Sequence, residues 1–245
     1  MKPYKDYPHS SISMQDDSGL KNALKALSKS TIEIIIESGT FNGLGSTTFI
    51  MEAFEDAASL EKFYTIELNY RTYKIATNNL AQFPKVQCKF GCSTKLQEAV
   101  DFMQNDEAIL NHQNYTDIYI DDIHEPVKFY SKELNGFLGV SSIKSMITRI
   151  INPKALNPEE NIIESIVKNN SSKTFLIVLD SAGGMGYLEF QKVQSLLKHK
   201  HHYLMLDDTH HLKHFRSKRD VLASEKYTVL YESIKHGSLL AEYQP

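Results

Sequence analysis

The chain has 245 residues, 41% of them hydrophobic and 23% charged, which is ordinary for a soluble globular protein and enough to bury the core of one α/β domain. A formal net charge of -3 supplies no global field for nucleic acid or an anionic membrane, so neither is expected as a partner. No apolar run approaches the roughly 20 residues of a bilayer span, and Cys88 and Cys92 make no disulfide framework; two buried free thiols in a cytoplasmic protein are expected.

Residues 1–30 read as an N-terminal extension. The opening MKPYKDYPHSSISMQDDSG is polar, lacks the apolar centre of a signal peptide, and is expected to form a surface extension or cap. Thr31–Ser38 (TIEIIIES) is short, β-branched and apolar at its centre, the pattern of a strand buried on both faces. A glycine-rich turn, GTFNGLG, follows, and then a helix in which Ser46 and Thr47 are candidate N-caps. Lys62–Leu68 reads as a second strand, Tyr70–Gln82 as a helix stopped before Pro84, Val86–Phe90 as a third strand and Ser93–Met103 as a helix. Residues 105–173 are too long for one connection and read as an insertion, a lid or a dimer arm. It carries an expected strand at Tyr115–Ile120 and helical stretches at Gly139–Ile151 and Glu159–Lys168. Alternation resumes with a strand at Thr174–Leu179, a helix at Tyr187–Lys198, a strand at His202–Leu206 and a helix at His211–Ala223. Tyr227–Glu232 and Ser238–Tyr243 read as a closing hairpin. The expected fold is a single domain: a Rossmann-like, doubly wound, mostly parallel seven-stranded sheet with a C-terminal antiparallel hairpin and a long insertion before strand four.

Such a sheet binds ligands outside the carboxyl ends of its strands. The first strand end, Glu37 to Thr47, places three glycines before a helix N-terminus, where the backbone can approach a ligand and offer free N–H groups. Glu67 closes the second strand, where a carboxylate can accept two ribose hydroxyls. Either a dinucleotide or S-adenosylmethionine fits these features. The dinucleotide fingerprint G-x-G-x-x-G/A finds Thr48 at its third position, and Glu37 has no task beside a pyrophosphate. Near S-adenosylmethionine, Glu37 would lie by the cationic amino group of the methionine part.

The stretch ESGTFNGLGST resembles motif I of class I methyltransferases. It is most similar to the E-x-G-T-[FY]-x-G-x-[GS] form of catechol-type and caffeoyl-CoA-type O-methyltransferases and of related sugar O-methyltransferases. Tyr64-Thr65-Ile66-Glu67 resembles motif II, and Phe90-Gly91-Cys92-Ser93 the segment after strand three, with Cys92 in place of the usual acid that contacts the adenine amine. The resemblance implies that Gly39, Thr40, Phe41, Gly43, Gly45 and Ser46 form the methionine-side turn. It implies that Glu67 and Leu68 meet the ribose and that Cys92 and Ser93 flank the adenine.

Asp180 ends strand four and Asp207-Asp208 end strand five. Three converging carboxylates suit a hard cation such as Mg²⁺, which could activate an acceptor hydroxyl. Metal-dependent O-methyltransferases are similar in carrying acids at these three places. Their Lys or His base, three residues beyond the strand-four acid, is replaced here by Gly183, and His210 or His211 is the expected substitute. The alternative for Asp208 is a helix N-cap. His199, His201 and His202 are expected in a solvated turn, and His214 joins His210 and His211 as a candidate for facing the site. Asp121-Asp122-Ile123-His124-Glu125 reads as a solvated loop or a second ligand cluster. Lys213, Arg216, Lys218 and Arg219 read as a solvated helix face or a grip for an anionic acceptor. Phe129, Tyr130, Phe137, Leu138 and Ile143–Ile151 are candidates for a homodimer face or a lid.

The function expected is therefore methyl transfer from S-adenosylmethionine to a small-molecule hydroxyl, on a sugar or natural product, with divalent-metal assistance as an option. An NAD-dependent oxidoreductase and a non-catalytic methyltransferase-like binding module are the rivals.

Overall fold

A computed structural model describes residues 14–138, 153–182 and 184–245. Seven strands form one sheet: β1 (Ile34–Ser38), β2 (Lys62–Glu67), β3 (Val86–Phe90), β4 (Phe175–Leu179), β5 (His202–Leu206), β6 (Tyr227–Ser233) and β7 (Ser238–Tyr243). Their order is β3-β2-β1-β4-β5-β7-β6, with β1 to β5 mutually parallel and β7 antiparallel to both neighbours. This is the expected doubly wound sheet with its antiparallel closing pair. Strand order reverses between β1 and β4, so the chain diverges there and opens a crevice at the carboxyl ends.

The pleat explains the apolar runs of β1, β4 and β5, all of whose residues are buried. Ile35, Leu176, Val178 and Met205 face a core shared with two helices, α1 (Ser18–Leu27) and α2 (Ser46–Ala53). Ile34, Ile36, Phe175, Ile177 and Leu204 face the opposite core.

Helix α1 lies within the N-terminal extension but is part of the body: Leu20 and Leu24 are fully buried against the first core. Asp17 caps it, accepting from the Leu20 amide at 3.0 Å, and also accepts from the Tyr231 hydroxyl on β6 at 2.6 Å. Helix α3 (Tyr70–Asn79) begins at the Asn69 cap and runs into a short 3₁₀ turn, Leu80–Gln82, where the sequence pattern predicts one helix.

The insertion begins at the end of α4 (Leu96–Asn105) and continues through a single turn, α5 (Glu107–Leu110), to α6 (Pro126–Phe137). The expected strand at Tyr115–Ile120 does not form. Only Tyr119 pairs, at one bridge to His211, while Tyr115 and Ile118 join an apolar cluster with Phe215 and α6. The apolar residues there cover a third core that the insertion shares with α4, Met185 and Leu212, so they need no sheet edge. The segment after the undescribed residues pairs with the end of β3 through Cys92 N–H to Glu159 O at 2.8 Å and Asn161 N–H to Thr94 O at 2.9 Å. Helix α7 (Ile162–Asn169) then buries Ile162, Ile163, Ile166 and Val167 in the second core and serves as the crossover into β4. The second core is completed by α8 (Gly186–Leu197) and by Val221 of α9 (Phe215–Ala223). The helix expected at Gly139–Ile151 lies outside the described residues. Among the described residues, no helix is long and apolar enough to cross a membrane.

Candidate active site

The ends of β1, β2, β3 and β4 meet at one cleft of about 360 Å³, within the size range of small-molecule sites. It is lined by Ser38, Gly39, Phe41, Glu67, Leu68, Cys92, Ser93 and Asp180 from the strand ends. Met103, Tyr130, Glu133, Leu134 and Phe137 of α4 and α6, together with Met185 and Glu189, complete it.

Gly39 is the pivot of this geometry. Its φ of +93° disfavours any L side chain, and a Cβ there would lie 2.1 Å from the Asp180 carbonyl oxygen. Its N–H donates to Ile66 O at 3.1 Å while Asp180 N–H donates to Ser38 O, so the turn is fixed between β2 and β4. Phe41 also sits at positive φ, with a 70% exposed side chain at the mouth. Thr40, Gly43, Gly45 and Ser46 lie in the same turn but not in the cleft wall. Gly43 has a φ of +80° and packs on Leu80.

Glu37 lies beneath the turn, fully buried, rather than in the wall. Its Oε2 accepts from the hydroxyls of Thr47 (2.5 Å) and Thr65 (2.6 Å), and Thr40 and Thr65 hydroxyls lie 2.5 Å apart. The Thr65 proton goes to Glu37, so Thr40 donates to Thr65. This acid therefore staples the turn to β2 and to the start of α2. Burial pushes its carboxyl up to about 7 against these donors, and Asp180 nearby adds to the rise.

Glu67 stands in the wall. Its Oε1 accepts from the Asn69 amide at 2.7 Å, and burial pushes the carboxyl up to about 7 despite backbone donors from Asn69, Phe41 and Leu68. Cys92 is buried, with burial pushing its thiol up to about 11, so it is an apolar wall and no nucleophile at neutral pH. Cys88 is a half-buried free thiol.

Sequence reasoning missed Glu189 on the first turn of α8. It is fully buried and accepts from three hydroxyls: Ser38 at 3.0 Å, Ser181 at 2.6 Å and Ser93. One carboxylate thus ties together the ends of β1, β3 and β4. Burial raises its carboxyl and the three serines act against that rise. An acid in the first turn of a helix that follows a strand end was the available signal. Glu133 was missed too, because α6 was not expected as a helix. Burial, and then Asp121, push its carboxyl up to about 7.

Asp180, Asp207 and Asp208 do converge, one oxygen of each lying within 4.8 Å of the others. A lysine already sits among them. Lys213 Nζ lies 3.1 Å from Asp180 Oδ1, 2.9 Å from Asp208 Oδ2 and 3.2 Å from the Ser181 carbonyl. Its three N–H donors are therefore all used. Burial acts against its charge, but the three aspartates win and hold the ammonium well above its usual range. Burial, then Asp180 and Asp208, push Asp207 well up. The residues present therefore do not fit a divalent ion. Asp208 does not cap α9, whose N-cap is His214.

The expected bases are placed elsewhere. His210 Nε2 meets Ile234 O at 2.7 Å, and His211 Nδ1 accepts the Lys213 amide at 3.1 Å while Nε2 meets Asp121 at 2.9 Å. Neither lines the cleft. His214 is fully buried, with burial holding its imidazole neutral. His202 is no turn residue: it is fully buried in β5, stacked on Tyr243, and burial lowers its imidazole to about 4. The Asp121–Glu125 run divides, Asp121 meeting His211 and Asp122 capping the His124 and Glu125 amides.

The basic run is not a solvated face. Arg216 makes a bidentate pair with Asp106 and lies 4.0 Å over the Tyr187 ring, and Lys218 meets Glu232 at 2.6 Å; Arg219 alone of the four is largely exposed. Lys213, Arg216 and Lys218 each meet an acid on another element, whereas Arg219 lies beside Asp220 of its own helix. Of the dimer-face candidates, Tyr130 is buried and Phe137 turns into the cleft, whereas Ile143–Ile151 lies outside the described residues.

No protein-family model and no curated protein matches the chain. Among solved structures, it is similar to an O-methyltransferase from Bacillus cereus in complex with S-adenosylhomocysteine, at 12% identity and TM-score 0.48 over 96% of this chain and 86% of that one. It is similar to a protein assigned as a caffeoyl-CoA O-methyltransferase from Staphylococcus aureus, at 14% identity and TM-score 0.46 over 94% and 84%. It is also similar to an rRNA methylase from Streptococcus thermophilus, at 9% identity and TM-score 0.38 over 91% and 92%. The functional reading rests on the chain's own residues.

Proposed function

We propose that this single domain is an S-adenosylmethionine-dependent methyltransferase acting on a small-molecule hydroxyl, with α6 of the insertion on the acceptor side. One observation carries the reading. The cleft wall holds four carboxylates, Glu67, Glu133, Asp180 and Glu189, and no lysine, arginine or histidine among the described residues lines it; Asp180 alone of the four is paired with an ammonium, that of Lys213, which stands behind the wall. A cationic sulfonium and ammonium suit such a wall better than the pyrophosphate of a dinucleotide or a nucleic-acid backbone does. The turn at Gly39, whose backbone packs on that of Asp180 with no room for a Cβ, holds the ends of β1 and β4 together in the same cleft.

Glu67 would hold the ribose hydroxyls, Phe41 and Leu68 would border the sugar, and Cys92 and Ser93 would flank the adenine. S-adenosylmethionine supplies an electrophilic methyl group on a sulfonium. Met103, Tyr130, Leu134, Phe137 and Met185 give the acceptor side an apolar, aromatic surface, which favours a natural-product hydroxyl over a free sugar. Glu133, tuned to about 7 on that side, is the group suited to take the hydroxyl proton near neutrality, a role better placed there than on His210 or His211. Asp180 would lie between donor and acceptor, fixing their approach for in-line displacement. No step needs a metal.

The test is calorimetric titration of S-adenosylmethionine and, separately, NAD⁺ into the purified protein with EDTA present. Saturable binding of the first and none of the second is expected. Binding of NAD⁺ alone, or of neither, would overturn the reading.

A further inference from the structure

We infer that Lys213 is the resident cation of the strand-end acid cluster and occupies the place of a divalent ion, so that the cluster takes no metal in the intact protein. Three acids at the ends of β4 and β5 make an oxygen-rich corner of the kind that holds Mg²⁺ or Mn²⁺. Here two of the three would-be ligands, Asp180 and Asp208, point an oxygen at the Lys213 ammonium, whose third donor goes to Ser181 O. An ion bound to those oxygens at ordinary coordination distances of about 2.0–2.5 Å would lie against the ammonium, and the two positive charges would repel in a partly dry site.

Lys213 cannot simply swing aside. The loop that carries it is tied at successive backbone amides: His211 N–H to Asp208 O at 2.8 Å, Leu212 N–H to Tyr119 O at 3.0 Å, Lys213 N–H to His211 Nδ1 at 3.1 Å and His214 N–H to His211 O at 3.0 Å. Its side chain is 6% exposed. Leaving the cluster would also strand three crowded carboxylates with no counter-charge, which is costly in a buried setting. The positive charge is therefore supplied by the chain, from a position 33 residues beyond Asp180, where the sequence offers only Gly183 close by. The inference concerns the acid corner alone and stands or falls separately from the cofactor assigned to the cleft.

The experiment uses Mn²⁺ as probe, following free ion by electron paramagnetic resonance in the wild type, Asp207→Asn, Lys213→Met and Lys213→Met/Asp207→Asn, each checked for a native circular dichroism spectrum. Lys213→Met keeps the length of the stem and removes the charge. The wild type is expected to show no saturable site, with a Kd above about 1 mM. Lys213→Met should gain one Mn²⁺ site at least about tenfold tighter, and the added Asp207→Asn should weaken it again. Two results would overturn the inference: a wild-type site tighter than about 100 µM that Asp207→Asn abolishes, or a folded Lys213→Met that binds Mn²⁺ no better than the wild type. If Lys213→Met does not fold, the wild type and Asp207→Asn still decide the matter, because metal-free corners predict identical free-ion curves for both. Titrating S-adenosylmethionine in parallel under EDTA keeps failure here distinct from failure of the cofactor assignment.

Discussion

Replacing Glu67 with glutamine should make the protein more stable and a poorer binder of S-adenosylmethionine, and the two effects have the same origin. Glu67 is 8% exposed and its carboxyl is raised from 4.5 to about 7 by burial. The folded state keeps the proton through the window from 4.5 to 7 while the unfolded state loses it, so stability falls as pH rises through that window. Above pH 7 the full cost is present, about 3 kcal/mol for such a shift. Glutamine removes that cost and gives up one acceptor among the Asn69, Phe41 and Leu68 amides, worth about 1 kcal/mol. At pH 8.5 the net gain is about 2 kcal/mol, a rise in Tm of roughly 4–8 °C for a chain of this size. Charged hydrogen bonds are worth about 1.5–3 kcal/mol each, so losing one ribose contact should weaken binding roughly 10- to 150-fold. Wild-type affinity should also drop about tenfold per pH unit below 7, because the carboxyl must first ionise, and the variant should lose that slope. Differential scanning calorimetry and pH-resolved titration calorimetry read both effects. A variant that melts below the wild type at pH 8.5, or that binds with wild-type affinity and slope, would refute the argument.

Gly39→Ala forces a Cβ to within 2.1 Å of the Asp180 carbonyl at a φ of +93°, so β1 and β4 must part at the cleft floor. A left-handed non-glycine residue costs about 1–2 kcal/mol, and the clash adds to it, so a clear fall in Tm with loss of S-adenosylmethionine binding is expected by calorimetry. Arg216→Lys keeps the charge but loses the two-pronged contact with Asp106 and the stacking on Tyr187, which join the insertion to α9 and α8. A loss of about 1–3 kcal/mol by urea unfolding is expected, from buried charged hydrogen bonds. The ligand-free protein should melt at a lower temperature at pH 7.5 than at pH 5, because Glu37, Glu67, Glu133, Asp180, Asp207 and Glu189 are all raised. His202 and His214, lowered by burial, act in the opposite sense below 6.5 but are fewer. A thermal-shift series in matched buffers checks the direction.

The sheet was legible because its strands carry their own signal. Short, largely apolar runs such as IIIES and FLIVL lack the period of an amphipathic helix, and turn glycines and strand-end acids mark their carboxyl ends. Helix α1 was hidden because its apolar Leu20, Leu24 and Leu27 sit among polar residues that read as a tail. Tyr115–Ile120 misled for the opposite reason, since its apolar alternation serves a local cluster that no period-two rule separates from a strand. At the site, motif residues next to the glycine turn could be read locally. Lys213 could not, because its partner Asp180 lies 33 residues away and in sequence it is one more charge on the approach to a helix; Glu189 could be marked only as an acid at a helix start, since its partner Ser38 lies 151 residues away.

The same physics links the two buried acid groups. Glu37 and Glu189 lie beneath and beside the cleft, each holding hydroxyl donors from separate elements. An apolar residue at either place would leave those hydroxyls without their acceptor, so the acids organise the floor even while burial drives them towards the protonated form. That tendency makes the cleft less negative than its composition suggests. A cationic ligand reverses it: positive charge beside these groups lowers their carboxyls again, and protons leave as the ligand enters. Binding of a sulfonium should therefore release protons near pH 7, read as a dependence of calorimetric heat on buffer ionisation enthalpy. A neutral thioether of the same shape should release fewer. Because Lys213 already balances the corner at β4 and β5, the charge left for the ligand to answer is concentrated on Glu67, Glu133 and Glu189, on the side where donor and acceptor must meet.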